Sequence, residues 1–393
     1  MKKISLVVAT LLVSSSTLFA EDNKNNWTLS GNLRTALTSQ AVESDDATTD
    51  IATGGWITLQ TPVINNFRFT TTYYTSQIMF GQNTDGWLHN NEGKSYSFVG
   101  EAYISGELFS EDSIIGKTEI ILGKKVIETP FADPDDMGMT PDIYEVALIE
   151  INPIDNFKFV GGRVTAQAGY DAEIKNKFSD LTEGDGVSVL AGIYSNEETG
   201  ISAQAWHYYL NDVDSSGMDQ SLSYADASYS FGINENLSFD IAGQYAFFKN
   251  LNVDEKDGSV IGGLLEASVY DLSLGFAFNS ATGDIEAQAG FGGGPYYASA
   301  NNMFIPCGGT ESNAYLFSAG YQVLEEVSVS GVYLTMNGDN LEEDINEIDL
   351  MVSYSMNDDF AIDLYWNGWN QANEESEEDE DYTRYGVFAN YSF

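Results

Sequence analysis

From about position 27 to the last residue, apolar and polar side chains alternate with a period of two, in segments of about ten residues. The clearest runs from Leu237 to Phe247: Leu237, Phe239, Ile241, Tyr245 and Phe247 share one face, and Ser238, Asp240, Ala242, Gln244 and Ala246 the other. The dyad recurs over 272–278, over 315–323, where Phe317, Ala319 and Tyr321 share a face, and over 360–366. In that last segment Phe360, Ile362, Leu364 and Trp366 oppose Asp363. Packed as a soluble sandwich, so many one-sided strands would need a second apolar layer. A closed barrel needs none, because each apolar face meets lipid and each polar face meets water. About eighteen such segments are present, an even number within the bacterial range. The pattern predicts an all-β chain, a transmembrane antiparallel up-and-down β-barrel.

The connections alternate in length. Short ones fall at 63–66, 152–156, 196–200, 234–236, around Asp271, at 325–326 and at 357–359, and they carry the Asn, Asp, Gly and Pro that tight turns use. Between them lie long polar stretches at 38–54, 79–94, 126–141, 169–185, 212–221, 250–259, 281–313, 337–344 and 371–382. Short periplasmic turns and long outer loops are the barrel arrangement, with both chain ends periplasmic. No linker interrupts residues 21–393, which read as one barrel domain.

The chain begins with Lys2 and Lys3, an apolar run from Ile4 to Val13, and small residues up to Ala20. That is the plan of a cleavable signal peptide over 1–20, cut before Glu21. At the other end Tyr385, Val387, Ala389, Tyr391 and the final Phe393 lie on one face. This resembles the last-strand signature that outer-membrane barrels present to the barrel-assembly machinery. The two ends together predict the cell outer membrane, with membrane lipid and lipopolysaccharide as surroundings. Trp27, Phe67, Phe157, Phe231 and Phe360 sit beside short turns, where aromatics anchor at the lipid–water interface.

Composition narrows the chemistry. A formal net charge of -44 excludes nucleic acid as a partner, since phosphates are repelled. The single Cys307 has no disulfide partner in the chain and reads as a free surface thiol without a role. Two histidines, His89 and His207, leave little for zinc or haem, and no cofactor is expected. A barrel protease or phospholipase would need a histidine beside Ser or Asp. His89 falls in a loop, and His207 lies among Trp206, Tyr208 and Tyr209, a setting for interface packing. The runs Glu374 to Asp381 and Glu342 to Asp344 read as solvated acidic loops that draw cations to the outer mouth; divalent ions bridging them to lipopolysaccharide are the sharper alternative. Residues 281–313 form the longest loop, expected to cover the mouth. Its Gly290 to Gly294 run lacks the strand-turn-helix context of a phosphate loop and reads as flexible backbone.

Strand parity assigns wall residues. Trp27, Leu29, Leu33 and Leu37 outward put Arg34 in the lumen. The same argument turns Arg68, Lys117, Lys125, Lys158 and Arg384 inward. Inward acids on the same walls are Glu101, Glu107, Glu119, Asp226, Asp240, Glu347, Asp349 and Asp363. Arg163 conflicts in parity with Lys158 unless Gly161 and Gly162 host a bulge, which leaves its side open. Charge at the lipid midplane costs about 2–4 kcal/mol, so inward charges are required with or without a transport role.

Between the fifth and sixth segments stand Leu122-Gly123-Lys124, Thr129-Pro130, Asp135-Asp136 and Pro141. In this order and spacing they resemble the OprD-type family of outer-membrane porins. The resemblance implies a third outer loop folded into the barrel, with Glu128, Thr129, Pro130, Asp133, Asp135 and Asp136 at the constriction. It also implies that wall bases guide anionic groups past the loop. Where the family carries an Arg before the Pro, this chain has Met137-Gly138-Met139, so a carboxylate clamp at that point does not carry over. The function read from the chain is a porin for passive diffusion of small hydrophilic solutes or ions, as monomer or homotrimer. The alternatives are a barrel enzyme and a structural or adhesive barrel.

Overall fold

A computed structural model describes residues 25–42, 47–81, 87–90, 92–172, 174–213, 216–252, 255–341, 343–371 and 380–393. The signal segment over 1–20 and most of the acidic run over 374–381 lie outside the described residues.

The chain forms one continuous antiparallel sheet. Its strands are β1 (Thr28–Val42), β2 (Thr48–Gln60), β3 (Phe67–Gly81), β4 (Tyr96–Phe109), β5 (Lys117–Lys125), β6 (Ile143–Ile154), β7 (Phe157–Ala168), β8 (Ser179–Asp180), β9 (Gly186–Asn196) and β10 (Ile201–Asn211). They continue as β11 (Asp219–Asn234), β12 (Leu237–Leu251), β13 (Asp257–Val269), β14 (Leu272–Gly283), β15 (Ser312–Leu324), β16 (Val327–Gly338), β17 (Ile345–Ser355), β18 (Phe360–Gln371) and β19 (Glu380–Ser392). The two-residue β8 pairs beside β7 within an outer loop, and β7 otherwise pairs with β9. The other eighteen strands make the wall. β1 closes it by pairing with β2 on one side and β19 on the other, with Arg34 opposite Gly54 and Asn390. Closure removes every free sheet edge, which lipid requires because it offers no hydrogen-bond partner.

The alternation sorts as a lipid belt demands. Leu33, Tyr73, Ile241, Tyr245, Phe317 and Leu350 are exposed on the outside, while Asn32, Arg34, Thr72, Gln244 and Asn367 are buried inside. The short turns are tight. Asn65, Asn66 and Asn156 hold positive φ there, a conformation that asparagine tolerates.

Two expectations are corrected, and one open assignment is settled. First, the strands outrun the predicted loops: β1 reaches Val42 and β2 starts at Thr48, where a loop over 38–54 was expected. Above the lipid no apolar face is needed, so the ladder continues through polar residues such as Thr38, Ser39, Thr49 and Asp50 after the dyad has faded. Second, the lumen is not simply a wet polar face. Val146, Leu148, Val164, Val189, Trp206, Tyr208 and Leu222 point inward into a buried apolar cluster. They do so because loops fold in and pack on them. Third, Arg163 faces outward. Lys158, Val160, Gly162 and Val164 share the inner face, and the register shifts against β6 lie between Val164 and Ala166 and between Phe157 and Phe159, not at the glycine pair. The exposed Arg163 guanidinium donates to the Asp185 carbonyl at 2.7 Å.

Candidate pore constriction

Residues 126–142, between β5 and β6, leave the wall and cross the lumen. A tight turn starts the crossing: Thr129 N donates to the Ala132 carbonyl at 2.9 Å, and its hydroxyl donates to the same oxygen at 2.9 Å. The turn delivers Phe131, fully buried, edge-on to Tyr208 (5.4 Å), Tyr224 (6.1 Å) and Phe248 (6.2 Å) of β10, β11 and β12. Five residues later Asp136 meets Arg34 of β1 at 3.0 Å. β11 lies half-way round the wall from β1. The loop is therefore a strut across the lumen, fixed by apolar packing at one end and by an ion pair at the other.

Arg34 is buried beneath this strut. Nη1 also donates to the Gly138 carbonyl, Nε donates to Asn390 Oδ1 at 2.8 Å, and Trp56 and Phe388 lie over its guanidinium carbon at 5.3 and 5.6 Å. Gly138 fits because a Cβ there would come within 2.9 Å of the Trp87 carbonyl and 2.8 Å of the Tyr170 ring.

Asp133 points away from Arg34, toward the loop over 284–311. Its carboxylate accepts from Gly293 N (3.2 Å), Gly294 N (3.0 Å) and Asp135 N (3.1 Å). Burial raises its pKa, while these N–H bonds pull it down. The Tyr144 hydroxyl donates to the carbonyls of Asp133 (2.8 Å) and Phe291. Gly290 holds φ +82°, and a Cβ there would lie 2.5 Å from the Phe131 carbonyl. The Gly290–Gly294 run is thus a fitted seat on the third loop, which corrects the reading as flexible backbone. Nor does the 284–311 loop merely cover the mouth. Glu347 of β17 accepts from Asn302 N (3.0 Å), Asn302 Nδ2 (2.7 Å) and Met303 N (2.8 Å), and Asp349 accepts from Asn301 N (3.0 Å). Cys307 sits in this loop, packed against the lumen cluster, so it is not a surface thiol; burial pushes its pKa up.

Asp135 and Asp171 line a cavity of about 420 Å³ where the inner loops meet, with Trp87, Met137, Tyr170, Phe291, Asn301 and Asn302 among its other walls. Burial and the neighbouring Asp171 push the Asp135 carboxyl well above the carboxylate range. Burial and Asp171 do the same to Asp142, which accepts from Asp171 N at 3.1 Å. Glu128 is exposed, and Thr129 and Pro130 are half-buried.

The remaining wall bases are distributed as follows. Arg384 donates to Gln40 Oε1 from Nε (3.0 Å) and Nη2 (2.6 Å), and to Asn302 Oδ1 from Nη1 (2.9 Å). Lys125 lies 5.6 Å from the Tyr103 ring centroid. Lower on the wall, Arg68 donates to Gln60 at 3.2 Å, Lys117 pairs with Glu119 at 3.1 Å, and Lys158 with Glu150 at 3.6 Å. The six bases do not converge on one point. Among the described residues Arg34 and Arg384 contact the inner loops through several hydrogen bonds, and Lys125 reaches only the Val126 carbonyl at 3.4 Å, where the crossing loop leaves the wall. His207 faces outward, 3.0 Å from Ser223, and His89 is buried against Asp50 at 3.1 Å. Parity reasoning missed Trp87 and Asp171. Their aromatic and acidic setting in otherwise polar loops was a readable signal, as were Phe291, Tyr296, Tyr297, Met303 and Phe304 in the 281–313 stretch.

No protein-family model and no curated protein matches the chain. Solved structures do. OccK9 (OpdG) of Pseudomonas aeruginosa is 14% identical, with 93% of this chain and 98% of that one covered at a TM-score of 0.77. A BenF-like porin of Pseudomonas fluorescens Pf-5 is 12% identical over 93% and 99%, at 0.76. OpdK of Pseudomonas aeruginosa, solved with vanillate, is 13% identical over 93% and 99%, at 0.75. With its eighteen-strand closed wall, the chain has the fold of the OprD-type outer-membrane porins.

Proposed function

We propose that the protein is an outer-membrane channel for passive diffusion of small hydrophilic solutes, with an eyelet that passes cations and neutral solutes in preference to anions. The observation that carries this reading is the disposition of charge at the strut. Arg34 is held by Asp136, Asn390 and the Gly138 carbonyl, and Arg384 by Gln40 and Asn302, whereas Asp135 and Asp171 line the cavity. A permeating anion finds donors already in use, and a cation finds carboxyl oxygens, with Asp135 gaining charge as pH rises. OpdK was solved with vanillate, a carboxylate. The arrangement here favours a different charge class on the same scaffold. The tests are single-channel recording in planar bilayers and swelling of liposomes in neutral sugars. Discrete conductance steps and size-dependent swelling are expected. A closed bilayer together with no swelling would overturn the channel reading.

A further inference from the structure

We propose that Trp87, in the short described stretch 87–90 between β3 and β4, masks the guanidinium of Arg384 from the permeation path. The proposal rests on the channel reading and adds a residue that sets its ion preference.

Arg384 does not line the cavity but contacts residues that do. Its Nη1 donates to Asn302, which does line the cavity, and so does Trp87. The Trp87 ring lies 4.0 Å from the guanidinium carbon, and the Trp369 ring 5.1 Å. With its donors on Gln40 and Asn302 and indoles against it, this cation is only 6% exposed. An aromatic face satisfies a guanidinium without carrying a formal charge, so it hides the positive field from a passing anion without adding a carboxylate to the path.

Trp87 is held for this task from several sides. It stacks on Tyr365 at 5.8 Å and meets Tyr170 edge-on at 6.1 Å. The two residues after it are fixed to the wall. The Leu88 carbonyl accepts from Ser76 of β3, and His89 Nε2 lies 3.1 Å from Asp50 of β2 with both side chains about 1% exposed. Leu88 itself is fully buried. A residue that only shielded the mouth would not need the two that follow it buried against the wall.

The test is reversal potential and single-channel conductance in a salt gradient for the full-length protein. Trp87→Ala should widen the path and shift the reversal potential toward anions. Trp87→Phe, which keeps a ring over the guanidinium, should stay near the wild-type potential. Arg384→Gln in the Trp87→Ala background should abolish the shift while keeping the larger conductance. If Trp87→Ala does not insert, Trp87→Leu carries the same comparison. The proposal is overturned if removal of the ring leaves the potential unchanged, or if the shift survives without Arg384. A wild-type protein that does not conduct would instead sink the channel reading, and this proposal with it.

Discussion

Arg34 and Phe131 hold the two ends of the strut by different physics, and their loss should be felt differently. Removing Phe131 leaves a cavity among Tyr208, Tyr224 and Phe248. Phe131→Ala should cost about 3–5 kcal/mol of local stability, the range for a deleted core aromatic. Arg34→Ala strands Asp136 and the Gly138 carbonyl, and breaking a buried pair costs about 3–5 kcal/mol as well. Arg34→Met with Asp136→Leu should recover much of that loss, because it removes both charges. All three predictions are checked by thermal unfolding followed by circular dichroism, with single-channel noise as the local readout. Each single variant should raise open-channel noise by freeing one end of the strut. Quiet channels in both single variants would show that the strut does not depend on these anchors.

At the scale of elements, the strut over 126–142 and the stretch after β7 meet through carboxyl groups. Asp135 and Asp142 have raised pKa values because they are buried beside Asp171. A carboxyl whose pKa is raised on folding contributes stability that is fully present below its unfolded value, near 4, and is lost as pH rises toward its folded value. The contact between the loops should therefore loosen, and the cavity gain negative charge, as pH climbs from about 5 to about 9. Limited proteolysis across that range should nick the outer loops faster at the alkaline end. Asp142→Asn should flatten the dependence, and faster cleavage at the acid end would refute it. The elements also show how far sequence reading extends. The barrel was legible because lipid imposes one rule on every strand, so Leu237 to Phe247 declares its faces unaided. Arg163 was not, because its side depends on where a bulge falls, and the bulge is placed by pairing with Glu145 and Val146. The inner loops were half legible: the Asp-rich motif marked the strut. The seat that Gly290–Gly294 forms under Asp133 depends on contacts 160 residues apart, which no local pattern carries.

For the whole molecule, the decisive quantity is the sign of the field along the path. The chain carries 60 acidic against 16 basic residues, yet charge count alone does not set selectivity, which depends on the few side chains lining the path. At the eyelet Arg34 and Arg384 are paired or covered, and Asp135 and Asp171 line the cavity. The measurement that tests this arrangement most directly is the reversal potential of the purified protein in a planar bilayer under a potassium chloride gradient. A potential on the cation side, growing as pH rises, is expected. An anion-selective channel would contradict it, because the paired arginines would then be acting as the filter.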